Sequence, residues 1–201
     1  MGTVRFEGVD IALLDACRSG DLAAFERLCR AVEADLYAFL FSLLRDHDAT
    51  DEALQECLIR IHGHLPALRD LERFPGWVMK MAVNQSRTVR ARAQRVRLQP
   101  LEDGVEYPNE QVVGHPHAGD SPPAVAQRAE MMAEVNAAIA ALPERQRAAI
   151  ILFEIEDRSI REIAEILDCS EGAVKFNIHE ARKKLRQALG HYLPARKASR
   201  P

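Results

Sequence analysis

Leu142–Leu189, LPERQRAAIILFEIEDRSIREIAEILDCSEGAVKFNIHEARKKLRQAL, carries two short amphipathic patterns joined by a connection too brief to be a linker. Ser159 followed by Glu162 has capping-box spacing, and Ile160, Ile163, Ala164 and Leu167 then share one helical face. A helix of about two turns is expected there. Asp168, Cys169 and Ser170 interrupt the pattern; Asp168 tolerates a left-handed backbone, and Ser170 can cap a second helix. In that second helix Val174, Ile178, Ala181, Leu185 and Leu189 point inward. Glu171, Lys175, Phe176, Asn177, His179, Arg182, Lys183 and Arg186 therefore face outward or flank the buried stripe. With Ala164 at the crossing and Val174 packing back, the spacing is that of a helix-turn-helix. An ordinary helical hairpin has the same periodicity, and charge separates the two readings. From Lys175 to Arg200 the cations Lys175, Arg182, Lys183, Lys184, Arg186, Arg196, Lys197 and Arg200 meet Glu180 as the single acid, which favours a phosphate-facing surface.

On these residues the stretch resembles region 4 of sigma-70-type transcription initiation factors, particularly the short extracytoplasmic-function (ECF) group. The resemblance rests on LPERQR, REIAEIL and the AVK, H and AR of AVKFNIHEARKKLR. It departs at Asp168, where the family's turn usually has Gly, at Phe176 and Asn177, where small and basic residues are frequent, and at Glu180. It implies recognition of the −35 promoter element by Glu171, Lys175, Phe176, Asn177, His179, Arg182 and Lys183. By chemistry and position, Lys175 and Arg182 suit phosphates, while Asn177 with Phe176 or Glu171 suits base edges.

A 201-residue chain that is 47% hydrophobic can bury one large core or two small ones. The formal net charge of -3 conceals an uneven distribution, with bases gathered at Lys80 to Arg97 and after Lys175. Cys17, Cys29, Cys57 and Cys169 have no C-x-x-C spacing, so neither a zinc site nor a disulfide framework is expected; buried thiols in a reducing cytoplasm fit better. No apolar run reaches membrane-spanning length, and MGTVRFEGVD lacks the pattern of a signal peptide. The expected compartment is the cytoplasm, without membrane insertion.

Towards the N-terminus only helical periodicity occurs. Leu13, Leu14 and Cys17, then Phe25, Leu28 and Cys29, then Leu36, Phe39, Leu40, Leu43 and Leu44 recur at three- and four-residue steps. Asp21 is a plausible cap after Ser19-Gly20, and Asp48 or Thr50 is expected to start the next helix. That helix turns Leu54, Cys57, Leu58, Ile61 and Leu65 inward and Asp51, Glu52, Gln55, Glu56 and Arg60 outward, a polar face suited to a basic protein partner. Phe74, Trp77, Val78, Met81 and Ala82 form another buried stripe leading into a helix with Arg87, Arg90, Arg92, Arg95 and Arg97. No acid interrupts Lys80 to Pro100. Aromatic residues beside such a run suit unpaired nucleic acid, although Trp77 itself falls on the apolar face.

This order resembles sigma-70 region 2. Leu54-Gln55-Glu56 with Leu58 and Arg60 resembles its polymerase-binding helix. Phe74, Trp77, Ala82 and Asn84 fit the F-x-x-W-[LIV]-x-x-[IM]-A-x-N signature, and Arg90 to Arg95 resemble its basic end. Ala53 stands for a frequent Leu, and Arg87-Thr88 for an apolar-Asp pair. The resemblance implies polymerase contacts by Asp51, Glu52, Gln55, Glu56 and Arg60, and −10 recognition and melting by Asn84, Arg87, Thr88, Arg90, Arg92 and Arg95.

Between Leu98 and Pro123, Pro100, Pro108, Pro116, Pro122 and Pro123 with Gly104, Gly114 and Gly119 mark a linker. Glu102, Asp103, Glu106, Glu110 and Asp120 make it acidic, and in similar proteins this segment threads polymerase channels. His115 and His117 lack further ligands, so no metal is expected. Ala124 to Leu142 resumes as a helix, with Pro143 in the first turn of the next.

The expected architecture is all-α, with two small helical domains joined by a flexible linker: residues 1–97 (region 2-like), 98–123 (linker), 124–190 (region 4-like) and 191–201 (basic tail). The resemblance implies a specificity subunit with core RNA polymerase, promoter DNA and an anti-sigma factor as partners. No catalytic residue, cofactor or small-molecule substrate is indicated. Two alternatives stay open, a free-standing helix-turn-helix regulator and a sigma-like decoy for an anti-sigma factor. A linker of roughly 26 residues has a typical end separation of about 30 Å as a coil. A spacer of around 16 base pairs spans about 55 Å, so the free protein is expected to bind promoter DNA poorly.

Overall fold

The structure, a computed structural model, describes residues 6–98 and 122–192, except the side chains of 96–98 and 122–126. The expected linker, with His115, His117 and its acids, and the basic tail lie outside the described residues, apart from Leu98, Pro122 and Pro123 at the linker's ends and residues 191–192. Among the described residues there are eight α-helices and no strand. They are α1 (Ile11–Arg18), α2 (Leu22–Leu44), α3 (His47–His64), α4 (Phe74–Leu98), α5 (Pro122–Ala140), α6 (Glu144–Glu154), α7 (Ile160–Leu167) and α8 (Glu171–Ala188).

Caps explain where the N-terminal helices begin. Asp10 accepts from the Leu13 amide at 2.7 Å and Asp21 from the Ala24 amide at 3.0 Å, so Asp21 acts as expected. Helix α3 is capped by Asp46, not by Asp48 or Thr50. Arg45 takes a left-handed conformation (φ 58°, ψ 35°) to end α2, which throws Asp46 into extended backbone with its carboxylate 2.8 Å from the Ala49 amide. Thr50 is buried instead, and its hydroxyl donates to the Asp46 carbonyl at 2.6 Å.

The axis of the N-terminal half is α2, whose Leu28, Val32, Leu36 and Leu40 are fully buried at four-residue steps. Against it pack α3, through Ala53, Cys57 and Ile61, and α4, through Val78, Ala82 and Val83. Burial pushes the Cys57 thiol up to about 12, so it behaves as a small core hydrophobe. Two details differ from the sequence reading. Met79, not Met81, is the fully buried methionine of α4. Phe6, upstream of any expected helix, is buried edge-on to Phe74 at 5.9 Å between ring centroids. The stripe and the basic run belong to a single helix of 25 residues, with Pro75 in its first turn where no amide partner is lost.

In the C-terminal half α6, α7 and α8 pack on one another, burying Leu152, Ile163 and Val174 completely. Helix α5 begins at Pro122, inside the segment read as linker, and Pro143 is the residue before α6 rather than its first turn. The helix-turn-helix follows its sequence signals. Ser159 Oγ accepts from the Glu162 amide at 3.2 Å, and Glu162 returns a carboxylate oxygen to the Ser159 amide at 2.9 Å. Asp168 is left-handed (φ 53°, ψ 56°), and Ser170 caps α8 through the Ala173 amide at 3.2 Å. The Ser159 hydroxyl and amide hold the Glu162 carboxyl below the usual carboxylate range. Ser159→Ala should lower stability by about 1 kcal/mol in thermal or urea unfolding. Because the folded pKa of Glu162 is depressed, its contribution is present at neutral pH and disappears as pH falls through that folded value.

The two halves touch directly. Helix α7 packs on α4 and α6 on α2, so one cluster of buried apolar residues runs through both.

Candidate nucleic-acid interface

Helix α8 presents the residues expected to read DNA. Its inner stripe of Val174, Ile178 and Ala181 is buried on α6 and α7, leaving Glu171, Lys175, Phe176, His179 and Lys183 exposed along the opposite side. Phe176 is 62% exposed, an apolar ring held in solvent near the N-terminal end of the helix. The Asn177 amide donates to the Ala173 carbonyl at 2.8 Å, which uses one of its two N–H donors and leaves the other, with the side-chain oxygen as acceptor. Arg182 is held rather than free. Its Nε lies 2.8 Å from Glu154 and its guanidinium 5.1 Å from the Phe153 ring centroid, tying α8 to α6. A phosphate would have to compete with both. Lys183 stands 4.0 Å from Glu180 on its own helix.

The basic run of α4 divides in the same way. Asn84 and Thr88 are exposed a turn apart, with the Thr88 hydroxyl donating to the Asn84 carbonyl at 3.1 Å. Arg92 and Arg95 are exposed, and Arg92 pairs with Glu52 of α3 at 2.7 Å. Arg87 reaches Glu144 of α6 at 2.7 Å. Arg90 turns inward and donates to the carbonyls of Leu43 and Leu44 at 2.9 and 3.4 Å, capping the C-terminal end of α2. Burial pushes its guanidinium pKa down, and in this arrangement Arg90 faces protein instead of solvent.

On α3, Asp51, Glu52, Gln55 and Arg60 are exposed and Glu56 half-buried, with Arg60 and Glu56 paired at 2.7 Å. Ile59, 66% exposed, lies among them, at helical spacing from Glu52, Gln55 and Glu56. The sequence reading passed over it; the available signal was an isoleucine out of phase with the Leu54, Cys57, Ile61 stripe. Among the described residues no group of side chains could hold a metal ion, and no helix is long and apolar enough to cross a membrane.

A capped helix-turn-helix with a cationic outer face, preceded by a long basic helix, has the form of a helical DNA-binding protein. The family model for sigma-70 region 2 matches residues 28–96, and that for sigma-70 region 4 matches residues 132–185. ECF RNA polymerase sigma factor SigM of Mycobacterium tuberculosis is 30% identical over 190 residues, covering 93% of this chain and 88% of its own. RNA polymerase sigma-H factor of Pseudomonas aeruginosa is 27% identical over 184 residues, covering 90% and 93%. Among solved structures, the sigma factor RpoE of Bartonella quintana in complex with the anti-sigma factor NepR aligns with a TM-score of 0.63 and 25% identity, over 83% of this chain and 96% of that one. The chain belongs to the ECF sigma factors of the sigma-70 family, and its function is promoter recognition in transcription initiation.

Proposed function

We propose that the N-terminal half of this sigma factor docks on core RNA polymerase through the exposed face of α3 and meets the −10 element with α4, while α8 enters the major groove of the −35 element. The observation that carries the division is the burial pattern of α3 and α8. Each seals one stripe in the core and turns a polar face with one exposed apolar residue, Ile59 or Phe176, to solvent. A desolvated apolar residue ringed by charge is the usual centre of a binding surface. Asp51, Glu52, Gln55 and Glu56 supply acidic and polar groups beside Ile59 for a basic partner, with Arg60 restraining Glu56.

In α4, Asn84, Thr88, Arg92 and Arg95 are the groups placed to meet DNA, joined by Arg87 once it leaves Glu144. In α8, Lys175 and Lys183 suit phosphates; Glu171, Phe176, the Asn177 oxygen and His179 suit base edges. The polymerase supplies the chemistry and the protein the address, which makes it a specificity subunit rather than an enzyme, acting in the cytoplasm. The complex of the Bartonella RpoE with NepR supports an anti-sigma factor as a further partner. The domains proposed are residues 1–97 and 124–190, with 98–123 between them, α5 reaching two residues back into that connection.

Reconstituted transcription tests this reading. Core polymerase with this protein should start at discrete sites on cognate promoter templates and fail to do so on templates with scrambled −10 and −35 elements. Sequence-specific nanomolar DNA binding by the protein alone, without promoter-specific starts in the presence of core, would favour a free-standing regulator.

A further inference from the structure

Ahead of α1 the chain makes a turn whose first residue is buried. The Phe6 carbonyl accepts from the Val9 amide at 3.0 Å, and Gly8, in the third position of that turn, has a φ of 82°, the sign a type II turn requires there. Nothing lies within 4 Å of where a Gly8 Cβ would stand, so the glycine answers to the backbone alone. Phe6 is itself left-handed at φ 47°, a conformation that crowds the Cβ of a bulky residue, yet it is only 1% exposed. Such a residue keeps its conformation because of what it touches. Its ring meets Phe74 edge-on at 5.9 Å, and Phe74 in turn lies 6.0 Å from Trp77 between ring centroids.

The wall that these rings brace is thin. Helix α1 packs on two 3-10 turns, Leu65–Ala67 and Leu71–Arg73, that connect α3 to α4. Space remains on both faces of that connection. On one face a cleft of about 530 Å³ opens between Phe6, Val9 and Ile11 and the chain at Leu71, Glu72 and Pro75. On the other, Leu68, Glu72 and Pro75 line a cleft of about 650 Å³ together with Trp77 and Lys80. A segment with space on either side has few contacts to resist displacement, so its position depends on those it has. The Phe6 ring is where the chain ahead of α1 grips the first turn of α4.

We propose that Phe6 is a positioning residue for promoter opening: through Phe74 it fixes the first turn of α4, and with it the strip of α4 that meets the separated −10 strand. The proposal rests on the −10 reading of α4 above. Trp77, half-buried, shares one helical face with Asn84, Thr88 and Arg95, the groups placed to meet DNA. Phe6 is buried and has no route to DNA of its own, so its influence passes through Phe74. Parting a base pair gives up stacking, which is recovered only on a receiving surface already held in register. A first turn of α4 that can shift therefore slows the opening of a duplex, while strands that are already apart have no such cost left to meet.

Open-complex formation by the reconstituted holoenzyme, followed by 2-aminopurine fluorescence in the −10 element, tests this on two templates. One is a duplex promoter, the other the same promoter held open by non-complementary strands at the −10 element. Phe6→Ala should slow opening of the duplex about tenfold, while transcription from the pre-opened template and affinity for core polymerase stay within about twofold of wild type. Phe6→Leu, which refills most of the volume, should recover most of the rate. Gly8→Val forces a β-branched residue to positive φ in an exposed turn without removing a buried atom. It carries the test, with the same split expected, should Phe6→Ala lose helical circular dichroism. Equal losses on both templates in a folded variant would make Phe6 a core residue only and overturn the proposal, as would an unchanged rate on the duplex. If the wild-type holoenzyme opens the −10 element and the variants open it equally fast, the −10 reading of α4 stands without Phe6. A wild-type holoenzyme that leaves the −10 element closed removes that reading and the proposal with it.

Discussion

Ile59→Asp should weaken binding to core RNA polymerase about 100-fold while leaving the melting temperature within about a degree or two of wild type. Ile59 is exposed on α3, so its replacement opens no cavity, and surface substitutions of this kind shift stability by about 0.5 kcal/mol or less. In the complex the same residue would be desolvated at the centre of the Glu52, Gln55 and Glu56 face, where losing an apolar anchor typically costs 2–4 kcal/mol. Glu56→Arg should weaken assembly less, because Glu56 is already engaged with Arg60 at the rim. The check is a titration against core polymerase paired with a thermal melt. Unchanged affinity in a folded Ile59→Asp protein would take this face of α3 out of the polymerase interface.

Phe176→Ala and Lys175→Ala should separate base reading from phosphate binding on α8. An exposed aromatic ring in the major groove has the thymine methyl as its natural contact. Removing it should cost about 1–3 kcal/mol of discrimination at one position of the −35 element, or roughly 5- to 150-fold in relative promoter use. Lys175→Ala should instead weaken all promoters alike and reduce the salt dependence of binding by about one unit of slope. Asn177→Ala should change preference where its side-chain oxygen accepts from a base amine. A −35 library transcribed with each variant holoenzyme reads all three outcomes. If Phe176→Ala leaves the ranking of promoters intact, the ring does not read bases.

Arg182→Ala is expected to behave differently from Lys175→Ala, because the structure gives Arg182 an internal task. The sequence reading placed both residues on the phosphate side of α8 by charge and period alone. Only the packing of α6 on α8 brings Glu154 and Phe153, 28 and 29 positions upstream, against the Arg182 guanidinium. Its loss should lower thermal stability as well as DNA binding, whereas loss of Lys175 should affect binding alone.

What the sequence determined by itself was local. The capping box at Ser159 and Glu162, the left-handed Asp168, the Ser170 cap and the buried stripe of α8 all depend on groups within a few residues of one another. Short-range geometry is written directly in spacing, and so the helix-turn-helix, the helical class and the family resemblance were legible. Tertiary structure decided which of the exposed-looking charges remain available. Arg90 belongs to the basic run of α4 by sequence, yet it spends its donors on α2 carbonyls more than forty residues upstream. Arg147, one cation of LPERQR, is buried where the ends of α2 and α5 converge. Periodicity assigns a side chain to a face but cannot say what covers that face. Orphan carbonyls at a helix end recruit whichever guanidinium the fold brings within reach, and that choice is made by the packing of one half on the other.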